Sequence, residues 1–308
     1  MHVRVLGAAA GGGFPQWNAN DAANNRARAG DPGVPAATQA SIAVSADGVH
    51  WFVVNAAPDL REQIAANPCL HPAEGLRSSP IAGIVLTNGD VDAIAGLLHL
   101  REGTPFSLYA TARVHAVLDA NPVFGVVNPE IVPRRALALD ETLPLELANG
   151  TATGLTVHTF KVPGKIPLYL ESDRSADASV EVSDEETVGL EIADGRSRLI
   201  YIANCARIDT ALAARLKGAP LVFCDGTLWR DDEMIAAGVG RKTGQRMGHI
   251  AMSGPDGAMA ALASLSIGRS IFIHINNTNP VLRRDSEERR TLEDAGFEVA
   301  YDGMELST

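Results

Sequence analysis

An α/β fold built on a mixed sheet is the architecture this sequence predicts, and three features carry that expectation. Residues 84–97 (IVLTNGDVDAIAGL) run from a short apolar strand, through a small and acidic turn, into a helix. A strand buried on both faces ends this way, with Asn88-Gly89-Asp90 supplying the turn chemistry. The middle of the chain then alternates strand and helix, the order that builds α/β layers. Finally, Asp47-Gly48 joins strand-like runs at 40–45 and 51–55 in a hairpin, so the sheet is not purely parallel.

Taken in order, residues 3–6 form a first strand that leads into the flexible loop GAAAGGGFP at 7–15. Its glycine spacing departs from a dinucleotide fingerprint, and Pro15 blocks the helix that would bind a pyrophosphate. The loop either wraps a ligand with bare backbone or serves as a plain connection. Residues 16–34 carry almost no core-forming side chains and read as an exposed excursion. Pro58-Asp59 opens a helix through Ala66, with Asp59 and Glu62 at the positive end of its dipole.

At the central turn Asn88, Asp90 and Asp92 lie two residues apart. In extended backbone they project to one side and converge on a cation or a substrate. Alternatively Asp90 or Asp92 caps a helix over 93–100, which Gly103 ends. A strand at 106–110 and a helix at 111–120 follow. Residues 155–162 alternate as a strand does, and 171–186 is an acidic, Ser/Ala-rich tract read as a mobile surface insertion. Strands at 198–202, 221–224 and 270–273 then lead to Asn204-Cys205, Asp225-Gly226-Thr227 and His274-Ile275-Asn276. Sites in open α/β sheets form beyond such carboxyl ends, so repeated polar endings point to a site there.

Composition narrows the function. With 308 residues and 46% hydrophobic content the chain buries a large core. A net charge of −11 argues against nucleic-acid binding, which needs a positive surface to release counterions. The three cysteines, Cys69, Cys205 and Cys224, form no Cys-x-x-Cys pair and fit a reducing compartment as free thiols. The apolar run near Met1 is too short for a secretory signal, and no run reaches the roughly 18 residues that span a bilayer. A cytoplasmic, soluble protein without membrane partners is expected.

Most of the eight histidines sit where a packed or solvated imidazole is the default. His249 and His274 differ, the first preceding an Ala-rich helix and the second closing a strand. Imidazole is a common ligand for iron and zinc, and two histidines with one carboxylate leave positions open for substrate or dioxygen. Asp225, at the end of an apolar strand, is placed to supply the carboxylate. The alternative is that His249 is a helix cap and Asp225 a turn residue. No G-x-S-x-G elbow or phosphate loop occurs.

Several longer stretches carry a resemblance: GAAAGGGFPQWN at 7–18, TQASIAVS at 38–45, LTNGDVDAIAGLLHLREG at 86–103, FKVPGKIPLYLE at 160–171, GRKTGQRMGHIAMSG at 240–254 and FIHINNTNPVLRRDS at 272–286. Together they resemble the pyrroloquinoline quinone (PQQ) biosynthesis protein B family of the metallo-β-lactamase superfamily. That likeness implies a single αββα sandwich over 1–308, with a site at one edge.

Against the superfamily pattern His-x-His-x-Asp-His, this chain has Asn88, Asp90, Asp92 and Ala93. The resemblance implies a metal, iron or zinc, held by Asp92, Asp225, His249 and His274, with Asp90 orienting a ligand. Where the family carries a Cys-x-Cys-x-x-Cys zinc site stand Ala19, Asp21 and Asn24, so no thiolate zinc site is expected. It further implies iron-dependent hydroxylation of a tyrosine in a small-molecule or short-peptide substrate. Lys165 and Arg246 would hold substrate carboxylates. Other PQQ biosynthesis proteins are expected as partners, and a homo-oligomer as the assembly. A rival reading, favoured by the altered positions 88 and 93, is a non-catalytic carrier of the quinone or a precursor. Two-metal hydrolysis lacks its first-site histidines. Restoring one imidazole with Ala93→His is expected to raise metal affinity.

Overall fold

The computed structural model describes residues 1–164 and 185–308. Lys165 and most of the acidic tract 171–186 lie outside the described residues. The apolar runs become strands of two sheets. One sheet holds β1 (His2–Gly7), β2 (Ser41–Ser45), β3 (Trp51–Val54), β4 (Ile81–Val85), β5 (Ser107–Thr111), β6 (Arg134–Leu137) and the last strand, β14 (Glu305–Ser307), in the order β14-β1-β2-β3-β4-β5-β6. The other runs β13-β12-β11-β10-β9-β8-β7, from β7 (Thr142–Glu146), β8 (Ala152–Lys161), β9 (Val188–Ala193), β10 (Arg198–Ile202), β11 (Leu221–Asp225), β12 (Arg269–Ile273) and β13 (Glu298–Val299).

Both sheets are mixed. The Asp47-Gly48 hairpin pairs β2 and β3 antiparallel, with Ile42 opposite Val54, while β3 to β6 run parallel. In the second sheet β7 to β10 are antiparallel and β10 to β13 parallel.

Alternation within these runs assigns each side chain to a layer. Phe52, Val54, Val85 and Tyr109 from one sheet meet Tyr201, Phe223, Ile271 and Ile273 from the other in a core between the sheets. Their neighbours of opposite phase face the helices. Trp51, Val53, Ile84 and Leu108 join an outer cluster that takes Leu60 of α2 (Leu60–Ala66), Ile94 of α3 (Val91–Ile94) and Val114 and Leu118 of α4 (Ala112–Ala120). Ile200, Val222 and Phe272 pack against Leu212 of α5 (Thr210–Leu216), Leu262 of α6 (Ala258–Leu262) and Leu292 of α7 (Glu287–Asp294). The αββα sandwich is therefore present, each fully buried Phe or Ile contributing about 1.5–3 kcal/mol.

Two segments differ from the sequence reading. The stretch 16–34 is not simply an exposed excursion. It forms α1 (Ala22–Arg28), capped by Asp21, and buries Asn24, Ala27 and Val34. Asn24 is tied in by hydrogen bonds to Gln16 N (2.7 Å) and Asp21 Oδ2 (2.6 Å), a buried polar contact that hydropathy does not register. The tract expected to be mobile through 186 is anchored at its end, where Glu186 is buried and accepts from Arg113 Nε at 2.8 Å.

Asp302 closes the chain onto the glycine-rich loop. Its carboxyl accepts from Ala8 N (3.1 Å), Thr38 N (2.7 Å) and Thr38 Oγ1 (2.7 Å). Burial outweighs these bonds, and with the charge of Asp59 it pushes the carboxyl up to about 6. A folded-state pKa above the unfolded value means the native protein holds this proton more tightly. The residue's contribution is therefore lost as pH rises from about 4 to about 6, by up to about 3 kcal/mol. Urea unfolding from pH 4 to 7 is expected to show wild-type stability falling relative to Asp302→Asn, whose amide does not titrate.

Candidate metal centre

Strand ends from both sheets deliver the site. β10, β11 and β12 are parallel neighbours, so their carboxyl ends emerge at one edge. Asp225 closes β11 in the inward phase of Leu221 and Phe223, and is fully buried. His274 directly follows β12 with φ of +62°, a left-handed conformation that costs a non-glycine residue about 1–3 kcal/mol and concentrates at functional sites. His249 leaves a tight turn over Gln245–Met247, which Gly248 ends at φ +86°. Asp92 comes from α3, beyond β4 of the facing sheet. The two edges are joined by Ala10 N to Ile275 O (2.8 Å) and Ile275 N to Ala8 O (2.9 Å).

Asp225, His249 and His274 each offer a donor atom, all within 4.8 Å of one another. His249 Nδ1 lies 2.7 Å from Asp225 Oδ2, and the two rings stack with centroids 5.2 Å apart. Asp92 Oδ2 is 2.9 Å from His274 Nε2. Both oxygens of Asp225 are engaged: Oδ2 also accepts from Cys205 N (2.8 Å), and Oδ1 from Thr227 N (3.0 Å) and Thr227 Oγ1 (2.7 Å). Thr227 Oγ1 in turn meets His249 Nδ1 (3.0 Å) and His274 Nδ1 (2.8 Å).

These contacts set protonation. With its proton directed to Asp225, the Thr227 oxygen accepts from His274 Nδ1, while Asp92 accepts from Nε2. This arrangement favours the charged ring, whose Nε2 proton a metal would have to displace. Burial lowers the His274 pKa, but the hydrogen bond and charge of Asp92, with the charges of Asp225 and Asp90, carry it above its ordinary value. Burial likewise raises the Asp92 carboxyl, and the bond and charge of His274 more than reverse this. Cys205, beside the cluster, is pushed up to about 12 by burial and by Asp225, so its thiol is inert.

The cluster opens on a cavity of about 600 Å³ whose wall includes Asp90, Asp92, Thr227, His249 and His274, with Gly11, Gly12, Met234 and Met247. Asp92, Asp225, His249 and His274 are thus brought together, with Asp90 in the wall. Asp90 begins α3 without a side-chain cap, and the expected longer helix is split at Ala95, continuing to Leu100 as tighter 3₁₀ turns. Among the described residues the wall includes Met247 but not Arg246. Asn88 does not face a ligand: its amide donates to Asn204 Oδ1 (3.2 Å) and its oxygen accepts from Asp90 N (2.9 Å). Thr227 is the residue that sequence reasoning missed. Its only signal was its place two residues beyond Asp225, the spacing of an Asx turn.

A domain model, the beta-lactamase superfamily domain, matches residues 50–275. The coenzyme PQQ synthesis protein B of Gluconacetobacter diazotrophicus is 58% identical over 304 residues, covering 99% of this chain and 98% of that protein. The protein of the same description from Xanthomonas euvesicatoria pv. vesicatoria is 53% identical, with full coverage of both. The chain belongs to the coenzyme PQQ synthesis protein B family. A crystal structure of Zn(2+)-bound PqqB from Methylobacterium extorquens superposes with a TM-score of 0.93, at 52% identity and full coverage of both chains.

Within this family fold, Ala93 is 3% exposed and packed in the outer apolar cluster with Leu6, Ala56 and Leu86. Ala93→His puts an imidazole at this buried position, so any gain in zinc affinity is expected to come with about 1–3 kcal/mol lost in urea unfolding.

Proposed function

We propose that Asp92, Asp225, His249 and His274 hold a single metal ion, and that with iron this site hydroxylates a tyrosine ring in a small product of the precursor peptide during PQQ synthesis. The carrying observation is the buried set Asp225, His249 and His274, whose donor atoms lie within 4.8 Å of one another, with Asp92 Oδ2 2.9 Å from His274 Nε2. Donors about 2.1 Å from one ion stand roughly 3–4 Å apart, so the set fits after small side-chain adjustments. Two imidazoles with carboxylates suit non-haem iron, and the same donors suit zinc. Family membership supports the role in PQQ synthesis, and the zinc-bound relative supports metal binding.

When bound, iron supplies the activation of dioxygen. The protein's own residues do the rest. Thr227 holds the Nδ1 edges of both imidazoles against Asp225, which would leave Nε2 of each for the ion. Asp90, in the cavity wall, is proposed to orient a metal ligand. Lys165 and Arg246 are proposed to take substrate carboxylates. Hydroxylation replaces an aromatic C–H with C–OH, taking one oxygen atom from dioxygen. Two electrons and two protons from an external reductant release the other as water. The site works in a cytoplasmic homo-oligomer alongside other PQQ biosynthesis proteins; no helix among the described residues is long and apolar enough to cross a membrane.

Purification without oxygen, iron loading and measurement of tyrosine hydroxylation test this reading. One iron per chain with ring hydroxylation is expected, and full activity in protein that binds no metal defeats it. The carrier reading is favoured by Asn88, whose amide is committed to Asn204, and by the buried Ala93. Quinone binding at micromolar concentration without turnover would establish it.

A further inference from the structure

We infer that Gly11 is a specificity-determining residue: its bare backbone is the platform against which a planar aromatic ring of the ligand packs beside Asp92. The inference rests on the reading of this cavity as the substrate site and names the class of ligand it takes.

Neither the turn nor local packing requires a glycine at position 11. Gly13 N donates to Ala10 O at 3.0 Å, closing a β-turn with Gly11 and Gly12 at its centre. Gly12 has φ of +93°, so the turn itself requires glycine there. Gly11 has no such left-handed φ, and the backbone admits any residue at that position. Packing does not require glycine either. A Cβ at Gly11 would meet only Asp92, at 3.6 Å from Oδ2, an ordinary contact with no backbone in the way. Neighbouring Gly7 is different, since a Cβ there would lie 2.2 Å from Gln39 O.

What a side chain at 11 would occupy is cavity space against a proposed metal ligand. Gly11 is exposed and contributes to the wall of the 600 Å³ cavity, between buried Ala10 and the left-handed Gly12. The turn is held in place from behind, because Gly12 N donates to Gln39 Oε1 (3.0 Å) and Gln39 is fixed by Asp59 (2.8 and 2.9 Å). The same cavity presents Met234 and Met247, whose thioethers are adaptable and favour aromatic rings. A side-chain-free surface and two methionines suit a planar ring better than a flexible aliphatic chain.

The test titrates PQQ into wild type, Gly11→Ala and Gly11→Leu by calorimetry, with zinc content and thermal melting measured on each. Unchanged melting and zinc uptake are expected, with quinone affinity reduced modestly by alanine and at least about tenfold by leucine. Gly11→Leu that binds quinone like wild type overturns the inference, as does wild type that takes zinc but no quinone. If leucine impairs folding, a graded loss in the well-folded Gly11→Ala still supports it, and unaltered binding there overturns it. No zinc uptake in wild type together with the graded loss of quinone across the two variants defeats the metal reading and leaves the platform standing.

Discussion

Replacing Asp225 with asparagine is expected to abolish stoichiometric metal binding, weakening zinc by more than about 100-fold, beyond what loss of a ligand's supporting group costs. The geometry explains why so small a change is so damaging. Oδ2 accepts from Cys205 N and faces His249 Nδ1, while Oδ1 accepts from Thr227 N and Oγ1. An amide nitrogen placed on either side opposes donors with a donor, and asparagine brings no charge for a cation. Each buried N–H left without an acceptor costs about 1–3 kcal/mol, so stability falls as well. Metal analysis after zinc loading and urea unfolding check both effects. One tightly held zinc in Asp225→Asn would put the metal elsewhere.

Thr227→Val separates positioning from ligation. Valine keeps the shape and the backbone N–H but removes the hydroxyl that bridges Asp225 Oδ1 and the Nδ1 atoms of His249 and His274. All four proposed ligands remain, yet the rings lose the contact that fixes their orientation. Zinc affinity is expected to fall about 10–100-fold, the usual cost of removing a group that holds a metal ligand. Thr227→Ser, which restores the hydroxyl, should recover most of it. Competition with a chromogenic chelator reads the difference, and unaltered affinity in Thr227→Val would make the threonine a bystander.

The pattern of apolar runs and turn residues located β1, β2, β3, β5, β10, β11 and β12 within a residue, whereas β6, β7, β9, β13 and β14 were not read from it. Strands 198–202 and β10 coincide, and the strand at 221–224 extends by one residue to include Asp225 itself. Local chemistry was less informative where two elements compete. Asp59 was expected to serve the start of α2, but its carboxylate accepts from Gln39 N at 2.8 Å instead, and no side-chain cap forms. Asn24 and Glu186 sit in polar stretches and are nonetheless buried, because each meets a partner brought near by the fold.

By itself the sequence determined the layered α/β class, the alternation that gives each strand an inner and an outer face, and the candidate ligands Asp225, His249 and His274. Those depend on interactions between near neighbours in the chain or on residue chemistry. Only the tertiary structure decided that Asp92, 182 residues from His274, reaches its imidazole, and that Thr227 joins both rings to Asp225. It also decided that Ala93 faces packed side chains while Gly11 borders the cavity. Such contacts arise from how two sheets stack and which loop ends meet at their edge, and spacing along a single chain does not encode that distance directly.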